Sequence, residues 1–258
     1  IETFKTNVIG TANVLEAARY TENVKAIINV TTDKCYENLE QISPYQENDR
    51  LGGYDPYSSS KACAELVSTA YRKSFFNKCG INLATVRGGN VIGGGDWARD
   101  RLIPDFFRAL NAGKSLQIRS PNAIRPWQHV LEPISGYLML AEKLVIDGNN
   151  YAEAWNFGPD ESNVRSVSQI IKHLSSSFKD SSWNIENTPQ LHEAGLLKID
   201  SSKAKSRLGW IHQWNLETAL NKTIDWYQVW CSRGDLMSIT NTQIDAYEKQ
   251  IKKMIIKK

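Results

Sequence analysis

A parallel α/β sheet continuing into a smaller mixed lobe is the fold class the sequence predicts, and three observations predict it. Helical and strand patterns alternate through the amino-terminal third, the cadence of βαβ crossovers. The apolar strand "KAIINV" runs without a spacer into the polar stretch "TTDKCY", as strands do where an open α/β sheet meets its ligand. Beyond the second strand the pattern loosens into short helices and strands, the mark of a mixed lobe.

The elements follow in order. "FKTNVIGTANVLEAARY" places Phe4, Val8, Ala12, Leu15 and Ala18 at helical spacing. A strand spans Lys25 to Thr31, and turn formers fill "ENLEQISPYQENDRLGGYDP". A long helix runs from about Tyr57 to Asn77, and the strand "INLATVR" ends in the glycine-rich loop "GGNVIGGGDWARD". Further on, "LIPDFFRALNAG" reads as a helix and "LQIRS" as a short strand. "LEPISGYLMLAEKLVI" is a helix that tolerates Pro133 in its first turn. "EAWNFG" is a strand, "SVSQIIKHLSSSF" a helix and "SWNIENT" a short strand, before two helices in "DSSKAKSRLGW" and "NLETALNKTIDWYQVW". The expected organisation is a catalytic part of a nucleotide-binding domain over 1–90, a mainly substrate-binding lobe over 91–235 with segments returning to the sheet, and a helical tail over 236–258.

Composition bounds the function. The 258 residues are 41% hydrophobic and 23% charged, ordinary globular values, and the net charge of +3 is too mild to argue for nucleic acid. The basic excess gathers in "KKMIIKK", read as a frayed, solvated end. Cys35, Cys63, Cys79 and Cys231 have no paired spacing and read as free thiols of a reducing compartment. His129, His173, His192 and His212 lack ligand spacing, so no metal is expected. No apolar run approaches the ~18 residues of a membrane span, and no signal peptide is evident, so the expected location is cytoplasmic. The chain opens at Ile1 within a helix, which reads as a fragment.

Two polar clusters suggest chemistry. Tyr57 and Lys61 are four apart and share a helix face. A phenol, with its reference pKa near ~10, becomes a usable base only where a neighbouring ammonium favours the phenolate. A drop of ~3 pKa units needs ~4 kcal/mol of differential stabilisation. Alone, this spacing is common on exposed helices. Thr32, Asp33 and Lys34, however, occupy the strand end where the ligand of such a sheet would lie, just ahead of that helix.

These motifs resemble the extended short-chain dehydrogenases/reductases, specifically the nucleotide-sugar 4,6-dehydratases. "TNVIGTANVLEAA" is similar to the helix before their catalytic strand, "YSSSKACAE" to their YxxxK helix, and "WNFGP" and "DSSKAKSRLGW" to their carboxy-terminal lobe. "TTDKCY" carries lysine where the dTDP-glucose and GDP-mannose dehydratases have glutamate, and so resembles the CDP-glucose branch, as do "GGNVIGGGDWARDRLIPD" and "IRPWQHVLEP". The resemblance covers essentially the whole chain and implies a Rossmann-like sheet whose amino-terminal half is truncated.

Carried over, it implies the following roles. Tyr57 is the base toward the sugar's 4-hydroxyl, Lys61 holds the nicotinamide ribose, and Thr32 bonds the same hydroxyl. Lys34 is the candidate base at carbon 5 and Asp33 the acid that helps the 6-hydroxyl leave. NAD is the expected cofactor, with Asn7, Thr31 and Arg87 beside Tyr57 and Lys61 in its site. Asn90, Arg101, Arg125 and His129 are the expected substrate residues, CDP-glucose the expected substrate and a homodimer or higher oligomer the expected assembly. Trp97 and Trp127 are read as packing rather than base-stacking, and Asn156 as structural. A base lysine must be neutral, far below its ~10.4 reference, and an acid aspartate protonated, above ~3.9. Their mutual attraction opposes both, so either the pair points apart as successive strand residues do or the cofactor and substrate change the balance. The family's glycine-rich turn for the NAD pyrophosphate has no counterpart, since "GGNVIGGGDW" does not fit GxGxxG. Roughly a hundred residues of the first nucleotide-binding half are therefore expected to be missing, with weak NAD binding by the isolated chain. Other dehydratases of the family, a 4-epimerase and an inactive scaffold are the alternative readings.

Overall fold

The structure, a computed structural model, describes residues 1–160, 163–186 and 196–256. His192 and the last two lysines of the basic tail lie outside the described residues. The chain forms two interleaved units. The first joins Ile1–Gly89 with Pro133–Gly158 and Leu197–Ile211, and the second joins Asn90–Glu132 with Pro159–Leu196 and His212–Lys258.

In the first unit, helix α1 runs through three contiguous stretches, Glu2–Phe4, Lys5–Ile9 in wider π geometry, and Gly10–Arg19. Strand β1 is Ala26–Val30, helix α2 is Pro56–Tyr71 prolonged by Arg72–Phe76 and Asn77–Cys79, and strand β2 is Asn82–Gly88. These strands and a later one, Ala154–Phe157, form a parallel sheet with β2 in the centre. Strand alternation then sorts the residues. Ile27 and Leu83 face a core with Leu15 and Phe76, while Ile28, Ala84 and Val86 face one with Leu140, Leu144, Trp155 and Trp210. Central β2 is therefore covered on both sides, as parallel strands require. Outer β1, at the edge of this sheet, is only half-buried, and Val30 is exposed.

The second unit begins with β3 (Asn90–Ile92), inside the stretch the sequence reading left as loop, followed by α3 (Leu102–Asn111), β4 (Leu116–Ile118) and β5 (Ile124–His129). The helix α4 (Leu131–Ile146) leads back into the first unit and to β6, the Ala154–Phe157 strand. Then come β7 (Val164–Ser166), α5 (Val167–Ser177), β8 (Trp183–Ile185), α6 (Leu216–Cys231) and α7 (Leu236–Ile256). β3, β5 and β7 form one sheet, and β4 pairs with β8. β5 escaped sequence reading because Pro126 sits within it, a residue that normally argues against a strand interior. The core gathers Phe106, Phe107, Trp127, Ile170, Leu174, Leu220 and Tyr227. Gly94 allows a close approach there: a Cβ would lie 2.0 Å from the Trp226 ring.

The basic end is exposed at Lys252 and Lys253 and continues a helix. α7 is helical through Ile256 and docks on α6, where Trp226 Nε1 donates to Thr240 Oγ1 at 3.0 Å and Gln243 Nε2 to the Lys222 carbonyl at 2.7 Å. Tertiary packing of one face stabilises a helix whose end the charges alone would leave solvated.

Candidate active site

The strand end is built by short-range hydrogen bonds. Thr32 is extended, and its Oγ1 accepts the Lys34 amide at 3.3 Å, so the chain turns at once into a 3-10 turn, Asp33–Cys35. The same hydroxyl donates to Asp33 Oδ1 at 3.2 Å. Asp33 is 3% exposed, whereas Lys34 is exposed. The two differ in environment because a cap-initiated turn, and not strand alternation, separates them.

α2 starts beside this turn and packs against it. Asp55 caps the helix, accepting the amides of Tyr57 and Ser58 at 2.9 and 3.0 Å, with Pro56 in the first turn. Gly53 lets the preceding loop lie on this end, since a Cβ there would be 2.6 Å from the Ser59 nitrogen. Burial opposes ionisation of Asp55, yet hydrogen bonds from Ser58 and Tyr57 and the charge of Lys34 hold its carboxyl below the usual range. Lys34 is thus near the cap that precedes Tyr57. Tyr57 is 40% exposed, and Lys61 Nζ donates to the Val30 carbonyl at 3.1 Å. Burial pushes the Lys61 amine down, and the Cys35 thiol and Glu65 carboxylate act against that. From the other side, Tyr137 of α4 comes within charge range of Asp33: burial pushes its phenol up, and the Asp33 charge adds to the effect.

Two expected cofactor residues have other partners. Arg87 is 3% exposed and gives Nε and one terminal nitrogen to Glu65, each at 2.9 Å, and the other terminal nitrogen to Tyr36 Oη at 2.8 Å and the Glu47 carbonyl at 3.0 Å. Thr31 Oγ1 donates to Glu65 Oε1 at 2.6 Å and to the Val86 carbonyl at 3.2 Å. Buried donors bonded to protein acceptors in this way have few hydrogens left for a ligand. Asn7 Nδ2 reaches from α1 to Ser60 Oγ at 2.9 Å, next to Lys61. Asn156 is structural, as expected, accepting from Tyr36 Oη at 2.7 Å and donating to the Tyr45 carbonyl at 3.0 Å.

In the second unit, Asn90 lies opposite Trp127 in the β3–β5 register, and Arg125 and His129 flank Trp127 at alternate positions of β5. Arg125 is 4% exposed and donates to the Ile124 carbonyl at 2.9 Å. His129 Nδ1 accepts the Leu131 amide at 3.3 Å, and its buried Nε2 has no partner among the described residues. Burial, with the Lys222 charge, pushes its imidazole down to about 4. It is a neutral donor at physiological pH. Arg101 is exposed at the start of α3, paired with Asp96 at 3.0 Å. Trp127 is core, while Trp97 keeps 40% exposure against Trp230 and Tyr227.

Sequence reading missed Glu65, Tyr36 and Tyr137. Glu65 had a signal, an acidic residue on the apolar face of the helix four after Lys61; the tyrosines had none beyond composition. Among the described residues no cluster of side chains could hold a metal ion. A nucleotide cofactor fits the first unit's donor set better. Lys61 uses one of three hydrogens on Val30 and keeps two for sugar hydroxyls, beside an exposed phenol.

Comparison with known proteins places this geometry. The family model described as GDP-mannose 4,6 dehydratase matches residues 1–223. The chain is 46% identical over 253 residues to CDP-glucose 4,6-dehydratase of Salmonella typhimurium, covering 96% of this chain and 70% of that protein. It is 28% identical to dTDP-glucose 4,6-dehydratase of Escherichia coli, covering 86% of this chain and 67% of that protein. Among solved structures, dTDP-glucose 4,6-dehydratase of Bacillus anthracis in complex with NAD aligns with TM-score 0.70 at 24% identity, covering 87% of this chain and 68% of that one. UDP-glucuronic acid 4-epimerase of Bacillus cereus aligns with TM-score 0.74 at 22% identity over the same shares, 87% and 68%. These likenesses give the Rossmann-type α/β fold. With its matching family model and its relative among the CDP-glucose dehydratases, the chain belongs to the GDP-mannose 4,6 dehydratase family, within the nucleotide-sugar-modifying short-chain dehydrogenases/reductases.

Proposed function

We propose that this protein is an NAD-dependent hydro-lyase that converts CDP-glucose to CDP-4-dehydro-6-deoxyglucose. The observation that carries the reading is the bond from Lys61 to Val30, which puts the Tyr57–Lys61 helix and the Thr32–Lys34 turn at one strand end. When bound, NAD supplies hydride acceptance from carbon 4 of the sugar and hydride return to carbon 6, so the net reaction uses none. Tyr57 takes the proton of the 4-hydroxyl while Thr32 holds that oxygen. Lys61 orients the cofactor ribose and favours the phenolate. The resulting 4-keto group acidifies the hydrogen at carbon 5, which Lys34 removes. Asp33 gives its proton to the 6-hydroxyl, which leaves as water, and protonated Lys34 returns a solvent-exchanged proton to carbon 5 as carbon 6 receives the hydride. Asn90, Arg125 and His129 bind the nucleotide-sugar in the second unit, a guanidinium matching diphosphate oxygens.

The choice of CDP rests on Lys34 and on the 46% identity to the Salmonella enzyme. The test gives the intact protein NAD with CDP-glucose, dTDP-glucose and GDP-mannose in parallel and weighs the products. CDP-glucose should yield a product lighter by one water; a product of unchanged mass inverted at carbon 4 would make the protein an epimerase.

The reading extends to a cytoplasmic enzyme of deoxysugar supply for surface polysaccharides such as lipopolysaccharide, and to a homodimer. α1 and α2 pack together and leave Ile9, Val14 and Leu66 exposed at 55%, 64% and 59%, an apolar face that supports self-association. Sedimentation should give a dimer; a monomer at micromolar concentration would remove it.

A further inference from the structure

Glu65 and Arg87 form an ion pair that the chemistry above does not use. Both side chains are almost fully buried, at 2% and 3% exposure. Four donors saturate the carboxylate: Thr31 Oγ1 at 2.6 Å and Arg87 Nε at 2.9 Å on Oε1, Thr85 Oγ1 at 2.7 Å and an Arg87 terminal nitrogen at 2.9 Å on Oε2. A buried pair of this kind gives little net stability over a well-packed apolar replacement. Its location suggests what it does instead. Glu65 is one turn beyond Lys61 on α2. Strand alternation brings Thr85 and Arg87 of β2, and Thr31 after β1, onto the face that α2 covers. Thr31 is the residue before Thr32, and Tyr36, which accepts from Arg87 at 2.8 Å, is the residue after Cys35. The turn carrying Asp33 and Lys34 is therefore tied at both ends to one pair seated on the Tyr57–Lys61 helix. Tyr36 is further anchored through Asn156 at 2.7 Å.

We infer that Glu65 and Arg87 are positioning residues that hold the Thr32–Lys34 turn in fixed relation to Tyr57 and Lys61, so that the oxidation groups and the dehydration groups act on one sugar. They touch neither substrate nor cofactor and act through Thr31 and Tyr36. The carboxylate stays ionised in spite of burial, because the hydrogen bond and charge of Arg87 and the two threonine hydroxyls hold it below the usual range. The inference rests on the dehydratase reading for its catalytic consequence but not for its structural one.

The test uses Thr31→Val and Thr85→Val, which remove one hydroxyl each from the same carboxylate. Only Thr31 adjoins the reacting turn. A positioning role predicts similar falls in Tm for both, with kcat falling roughly ten- to hundredfold in Thr31→Val alone. The KM values for sugar nucleotide and NAD should be little changed, and Thr31→Ser should restore the rate. Hydrogen exchange provides a readout independent of turnover: amides of residues 32–36 should exchange faster in Thr31→Val and not in Thr85→Val. If the wild-type protein forms no dehydrated product, the dehydratase reading falls while exchange still decides this one. Equal loss of kcat in both variants in step with Tm would overturn the inference. So would unchanged exchange at 32–36, or a raised KM for NAD as the main effect of Thr31→Val.

Discussion

Glu132 offers the sharpest physical prediction outside the reacting groups. It is 0% exposed at the start of α4 and accepts the amides of Gln213 at 3.0 Å and Trp214 at 2.7 Å and the Tyr247 hydroxyl at 2.8 Å. Burial nevertheless dominates, and its carboxyl is pushed up from 4.5 to about 7. A carboxyl with a raised folded-state pKa binds its proton more tightly when folded. The stability it contributes is fully present below pH ~4.5 and is lost as pH rises through ~7. A shift of this size corresponds to about 3 kcal/mol, at 1.36 kcal/mol per pKa unit. Glu132→Gln removes the titration while keeping an acceptor for part of the donor set. Urea unfolding of both proteins from pH 4 to 8.5 isolates the effect, because every other titration cancels in the difference. The variant should gain about 3 kcal/mol on wild type between the ends of that range. A difference that does not change with pH would refute the reasoning.

Other outcomes follow from the same geometry. Arg87→Met leaves the Glu65 carboxylate buried with two hydroxyl donors, and should lower unfolding stability by about 3–5 kcal/mol in denaturant titration. Gly94→Ala drives a methyl into the Trp226 ring and should destabilise by about 1–3 kcal/mol, read by calorimetry; an unshifted Tm would show that the loop yields freely. Asp33→Asn should slow dehydration by about 10²–10⁴-fold, with the first hydride transfer, followed as absorbance of the reduced cofactor in a single turnover, retained. An unimpaired variant would take the acid role from Asp33.

Much of this was legible in the sequence, for reasons that vary by element. α1 announced itself because apolar residues recur at helical spacing. β5 was hidden by Pro126, and β3 is only three residues long in a glycine-rich stretch. The proposed site residues Thr32, Asp33, Lys34, Tyr57 and Lys61 could be singled out because short local motifs carry them. That Arg87 and Thr31 both bond Glu65 was not legible, because these residues lie far apart along the chain. Sequence left open how Asp33 and Lys34 come to differ, since the turn that separates them is started by the Thr32 side chain and not by strand alternation.

The central claim is that one strand end both oxidises and dehydrates a single hexose. The most direct measurement is the reaction of CDP-glucose with the intact protein and NAD in deuterium oxide, analysed by mass spectrometry and proton NMR. A product lighter by one water, with a methyl group at carbon 6 and solvent deuterium at carbon 5, is the expected result. Recovery of a hexose that keeps its 6-hydroxyl and carries no deuterium at carbon 5 would contradict it.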